Sequence, residues 1–176
     1  METKTADGYF QVYTGDGKGK TTAALGLALR ASGRGLPVYL GQFMKGQDYG
    51  ELHALPKLER VTCEQYGDVG WVYKGKVTEA QRALAQKGLR KGRAALVSGA
   101  YRIVILDEIN MAVWFDLISL DQALALVGER PAAVELVFTG RRADPAIIDR
   151  ADLVTEMREV KHYYTQGVPA REGIEK

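Results

Sequence analysis

Nine residues near the start, Thr14-Gly15-Asp16-Gly17-Lys18-Gly19-Lys20-Thr21-Thr22, join three glycines to two lysines and three hydroxyls at spacings that suit phosphate. A glycine-rich backbone can curl so that successive N–H groups point at one anion. A helix that starts there adds its unpaired N-terminal N–H groups and the positive end of its dipole. In such a loop Lys20 reaches the outer phosphates and the Thr21 hydroxyl sits on Mg²⁺. The usual pattern places four residues between its first glycine and the Gly-Lys pair. Counting back from Gly19 puts Thr14 in that first position, and Gly15 comes one place late.

A second group of residues can serve the same chemistry. Arg102-Ile103-Val104-Ile105-Leu106 runs into two acids, Asp107 and Glu108. A continuous β-branched run suits a strand buried on both faces. Its acids then stand at the carboxyl edge of a parallel sheet, where ligands bind in open α/β folds. In phosphate-loop proteins an acid so placed binds or orients the metal. For Asp107 alone the alternative is an N-cap acid for the following helix. Thr139-Gly140-Arg141-Arg142 ends another apolar run, and Arg141 there can meet phosphate oxygens.

Elements must exist to hold these groups. Tyr9-Phe10-Gln11-Val12-Tyr13 reads as the strand ahead of the glycine loop. Ala23 to Arg30 is rich in helix formers, and Gly33 and Gly35 mark its stop. Further strands are expected over 36–43, 61–66, 102–108 and 133–138, and a last one over 153–157. The segment 45–50 reads as a polar loop. Thr78 and Gln81 have capping-box spacing for a long helix running to about Ser98-Gly99. Another helix is expected over about 119–129, and Ala143-Asp144-Pro145 opens a short one. The glycine-punctuated tail from Lys161 to Lys176 is expected to be ordered by docking on the rest. Strand–helix alternation gives an α/β, P-loop NTPase-like fold: a mainly parallel central sheet with helices on both faces. At 176 residues, without repeats or linkers, the chain is expected to form a single domain over 1–176.

Composition narrows the setting. Lys+Arg 24 against Asp+Glu 22 leaves a formal charge of +2, too near neutral to point to nucleic acid. The long helix carries Arg82, Lys87, Arg90, Lys91 and Arg93, but no aromatic residues interleave them, so a solvated face is expected. The one cysteine, Cys63, excludes an internal disulfide framework and reads as a buried, inert thiol in a strand. Met1 to Gly8 has no apolar core of signal type, and no stretch is long enough to span a bilayer. A cytoplasmic protein without a membrane partner is the expectation.

The whole pattern resembles the ATP:corrinoid adenosyltransferases of the P-loop type. That family shares the shortened glycine loop of Thr14 to Ala24. The resemblance continues through Gln42-Phe43-Met44-Lys45-Gly46, Leu106-Asp107-Glu108-Ile109, Phe138-Thr139-Gly140-Arg141 and Ala151-Asp152-Leu153-Val154-Thr155-Glu156-Met157. It closes with Lys161-His162 and Gly167-Val168-Pro169-Ala170-Arg171-Glu172-Gly173-Ile174-Glu175. These stretches span nearly the whole chain in the family's order.

The resemblance implies transfer of the 5′-deoxyadenosyl group of ATP to the cobalt of a reduced corrinoid, with triphosphate leaving. It implies that Gly15, Asp16, Gly17, Lys18, Gly19, Lys20, Thr21 and Thr22 hold the triphosphate. Thr21 and Glu108, with Asp107 beside them, hold Mg²⁺ or Mn²⁺. Arg30 is a further candidate for a nucleotide contact, against an exposed helix arginine. Cobalt(I) is itself the nucleophile, so neither His53 nor His162 is needed as an acid or base. His162 is read as a surface or packing residue that can approach the triphosphate. Where the family packs a Phe-x-Trp pair on the corrin, this chain has Trp71-Val72-Tyr73. Both rings are therefore corrinoid-binding candidates, against the alternative that they pack a loop onto the core.

The family also implies a homodimer and an electron-donating reductase. An extended N-terminal helix often caps the family's site, and few residues precede the first strand here. Two other functions compete: an ordinary P-loop ATPase or kinase cleaving at the β–γ bond, and a non-catalytic carrier of ATP or corrinoid.

Overall fold

The run Ile103–Asp107 (β4) is buried along its whole length. Val104 and Leu106 enter one apolar layer, Ile103 and Ile105 the other. Only a strand covered on both faces can alternate in this way. In the computed structural model, which describes residues 7–176, five further strands flank it: Phe10–Thr14 (β1), Val38–Phe43 (β2), Val61–Tyr66 (β3), Glu135–Thr139 (β5) and Leu153–Glu156 (β6). They form one sheet in the order β3-β2-β4-β5-β1-β6, and each neighbouring pair is parallel.

Helices cover both faces, as expected. Lys20–Ser32 (α1) sets Ala24, Ala28 and Ala31 against Val38, Leu40, Ile105 and Val137. Small side chains at this spacing let the helix sit close to the sheet and align the glycine loop with the strand edge. Gly50–Ala54 (α2) is a short helix that begins at Gly50, the last residue of the expected polar loop, in a stretch for which the sequence gives no element. The opposite face carries Glu79–Val97 (α3), Ile109–Trp114 (α4), Leu120–Glu129 (α5) and Pro145–Ile148 (α6). Thr78 and Gln81 make the expected capping box, and Ser119 with Gln122 makes a second. The five basic residues of α3 named above are all exposed.

Expectations about residues 1–6, including the absent signal segment and N-terminal cap, lie outside the described residues. No helix among the described residues is long and apolar enough to cross a membrane.

Candidate functional site

Because the sheet is parallel, the loops after β1, β2, β4 and β5 all leave from one edge. The glycine loop rises from β1 there, and its departure from the usual spacing has a local cause. Thr14 is still strand: it pairs with Glu156 of β6, and its hydroxyl accepts a hydrogen bond from Ala143 N–H at 3.3 Å. The chain turns one residue later, at Gly15, with φ +92°. A Cβ there would stand 2.5 Å from the Met157 carbonyl oxygen, so the glycine belongs at 15 rather than 14. Gly17 N–H then donates to that same carbonyl at 2.7 Å. Lys20 folds back over the loop, donating to the carbonyls of Gly15 at 2.8 Å and Gly17 at 2.7 Å. Burial pulls its pKa below that of an ordinary lysine, partly offset by Glu108.

Asp107 is fully buried and is the hub of the site. Register sets Gln42 beside it on β2, and β5 brings Thr139 to its other side. Its Oδ1 accepts from Thr139 at 2.6 Å and from Thr21 at 3.0 Å. Its Oδ2 accepts from Lys45 at 2.8 Å and from Gln42 at 3.4 Å. It is not the cap of α4. That position belongs to Glu108, whose φ of +62° turns it away from the strand and whose side chain makes no capping bond. Burial and the neighbouring Asp107 charge raise the Glu108 pKa, against the pull of Lys45, Lys20 and Arg141. Lys45 has the opposite balance. Burial lowers its pKa, but the Asp107 charge and hydrogen bond, with Glu51 and Glu108, leave it raised.

A cleft of ≈ 740 Å³ opens over these groups. Of the residues expected from the sequence, it gathers Gly17, Lys18, Gly19, Lys20, Thr21, Thr22, Glu108 and Arg141, with Asp107 hydrogen-bonded to Thr21 beneath. Gly15 shapes the loop through its carbonyl, and Asp16 is exposed on it. Arg30 is not brought there. It is exposed in the last turn of α1, about 15 Å along the axis from Lys20. Trp71 and Tyr73 lie outside the cleft wall, 80% and 62% exposed. Val72 between them packs on the core, so the segment is anchored by its middle residue and its two rings face outward. The alternative that both rings pack inward does not hold.

The tail closes one side. Lys18 Nζ bonds Glu175 at 2.7 Å and the Ile174 carbonyl at 3.1 Å, and Gly173 to Lys176 line the cleft. His162 also lines it, but its Nδ1 accepts from Tyr164 N–H at 3.0 Å, capping a 3-10 turn. Cys63 is half-buried, and burial first, then Glu51, pushes its thiol up to about 11, in keeping with an inert thiol.

Lys45, Gln42 and Thr139 carry the hub yet were not assigned roles from the sequence. Two signals mark Lys45: its place two positions beyond a strand that ends at the ligand edge, and its place in the family-like stretch Gln42-Phe43-Met44-Lys45-Gly46.

The donors suit a hard cation. Thr21 offers a hydroxyl, and Asp107 and Glu108 offer carboxylates, beside the glycine loop. Among the described residues no cluster of three or more His, Cys, Asp or Glu could hold a metal by itself. Mg²⁺ typically takes one or two carboxylates and completes its shell with phosphate oxygens and water, so the residues fit it.

A glycine loop opening a helix across from an acid-tipped, doubly covered strand defines an α/β protein of P-loop NTPase-like arrangement. Residues 6–175 match the family described as ATP:corrinoid adenosyltransferase BtuR/CobO/CobP, and the chain belongs to that family. It is 35% identical over 170 residues to the corrinoid adenosyltransferase of Pseudomonas aeruginosa, covering 96% of this chain and 83% of the relative. The corrinoid adenosyltransferase CobA of Salmonella typhimurium is 35% identical over 174 residues, covering 96% and 85%. The corrinoid adenosyltransferase of Escherichia coli is 34% identical over the same shares.

Proposed function

We propose that this cleft positions ATP for attack on C5′ by the cobalt of a reduced corrinoid. ATP-dependent adenosylation of a corrinoid is the activity of the family. Cobalt(I) supplies the electron pair of the new Co–C bond, the C5′–O bond breaks, and its electron pair leaves on triphosphate. Cobalt is formally oxidised from +1 to +3. No side-chain base is required, so the protein contributes alignment and charge.

Each residue then has a task. The backbone from Gly15 to Thr22 cradles the triphosphate, and Lys20 and Arg141 oppose its charge. Thr21 and Glu108, with Asp107 behind them, hold Mg²⁺ or Mn²⁺. A divalent cation bound there supplies positive charge to the departing triphosphate. Trp71 and Tyr73 offer faces to the corrin ring. The whole chain works as one cytoplasmic domain, paired with a second copy and served by a reductase that delivers cobalt(I).

The observation that carries this reading is the convergence of Lys20, Thr21, Glu108 and Arg141 on one cleft in a chain of this family. The test is an anaerobic assay with ATP, Mg²⁺ and chemically reduced cobalamin, following the corrin spectrum and phosphate products together. Adenosylcobalamin with stoichiometric triphosphate is expected. Steady orthophosphate release without adenosylation overturns the reading.

A further inference from the structure

Lys45 is a second lysine of the cleft, and its position is unlike that of Lys20. Its Nζ lies 2.8 Å from Asp107 Oδ2, 3.5 Å from Glu51 Oε1 and 3.5 Å from Thr21 Oγ1. Its side chain is only 13% exposed, yet it lines the cleft. It therefore sits as a single positive charge on the carboxylate and hydroxyl that suit a divalent cation. A divalent cation seated at the Thr21 hydroxyl and Asp107 would stand within a few ångströms of an ammonium that lies 3.5 Å from that hydroxyl, and the two positive charges repel. Arrival of a metal–triphosphate complex weakens the hold of Asp107 on Lys45 and brings new anionic oxygens nearby. A flexible four-carbon stem lets the ammonium follow them.

We propose that Lys45 is a triphosphate-contacting residue: it holds Asp107 and Thr21 in place before ATP enters, then turns to neutralise the leaving triphosphate. This inference rests on the cleft being the ATP site.

The backbone of Lys45 is fixed by a close crossing of two loops. Met44 is left-handed at φ +58°, and its N–H donates to Tyr66 O at 3.2 Å. A Cβ on Gly67 would lie 2.4 Å from Lys45 N, and one on Gly46 would lie 2.5 Å from Gly67 O. Only glycines allow that approach. Gln65 Nε2 adds a bond to Gln47 O at 3.3 Å. The second loop continues to Trp71 and Tyr73, so the proposed corrinoid contact and this phosphate-side lysine spring from one locked crossing.

The experiment is calorimetric binding of inorganic triphosphate to the full chain in saturating Mg²⁺, with Mn²⁺ binding without nucleotide read separately by electron paramagnetic resonance. Lys45→Gln is expected to weaken triphosphate about tenfold, the scale of a lost charged hydrogen bond, while Lys45→Arg stays within about threefold of wild type. Lys45→Gln is also expected to bind Mn²⁺ more tightly, because a competitor for Asp107 is gone. If Lys45→Gln unfolds, Asp107→Asn against the double variant Lys45→Gln/Asp107→Asn makes the same comparison without an orphaned carboxylate. The single variant should then bind triphosphate more tightly than the double. Wild-type binding matched by the neutral variants overturns the inference alone. No triphosphate binding by the wild type overturns the cleft assignment and the inference with it.

Discussion

Thr139 Oγ1 donates to Asp107 Oδ1 at 2.6 Å and accepts the Glu108 backbone N–H at 2.9 Å. One buried hydroxyl thus fixes both acids at the tip of β4. Thr139→Val keeps the shape but leaves a fully buried carboxylate oxygen and an amide short of a partner. A loss of about 1–3 kcal/mol in unfolding free energy is expected, with Thr139→Ser close to wild type. Chemical denaturation of the two variants checks this, and equal stability would remove Thr139 from its positioning role.

Thr21 allows a sharper separation of binding from turnover. Its hydroxyl touches Asp107 while its backbone belongs to the cradle. Thr21→Val should leave the fold intact and lower kcat by about 10²-fold, the usual scale for one lost electrostatic contact. Thr21→Ser should recover most of it. Steady-state kinetics across a Mg²⁺ titration gives the answer: an undiminished kcat in the valine variant removes the hydroxyl from catalysis.

The outward rings predict an unusual pairing of effects. Trp71→Ala and Tyr73→Ala remove exposed side chains, so melting temperatures should move little. The KM for corrinoid should rise severalfold while that for ATP holds. Val72→Ala should do the reverse, lowering stability through its core contact with little change in corrinoid KM. Melting curves and two-substrate kinetics on the three variants distinguish a binding face from loop packing.

The tail should respond to acid. Hydrogen bonds from Arg171, then Lys18 and Tyr163, hold the Glu175 carboxyl well below the usual glutamate range. A depressed carboxyl favours the docked state most fully above its unfolded value of about 4.3. That contribution falls away as pH drops from there toward the lower docked value. Amide protection in residues 163–176, corrected for intrinsic exchange, should therefore decline below about pH 4.3. In Glu175→Gln, protection should be weaker at neutral pH and flat across that window. Unchanged protection in the glutamine variant would sever the tail from Lys18.

Local signals made much of this fold legible. Capping residues Thr78 and Gln81, the doubly apolar run of β4 and the glycine loop each depend on neighbours a few positions apart. The hub around Asp107 does not. Lys45 and Thr139 meet it across 62 and 32 positions of sequence, through strand register that no local pattern encodes. Of the two readings open for Arg30 the exposed helix arginine fits, because closeness along the sequence to the loop becomes distance along the axis of α1. The short helix Gly50–Ala54 escaped notice because five residues with one large apolar side chain, Leu52, are too few to show a period.

Among the described strands, the one that bears the glycine loop comes first in the sequence yet pairs only with β5 and β6, the last two. During translation the phosphate cradle consequently has no flanking sheet until residues beyond 135 have emerged, and Gly17 has no Met157 to rest on until later still. Non-local pairing of this kind delays closure of a fold. The loop thus takes its shape only after β5 and the segment around Met157 have been made, and a fragment ending before β5 is left with the loop sequence but no socket to shape it.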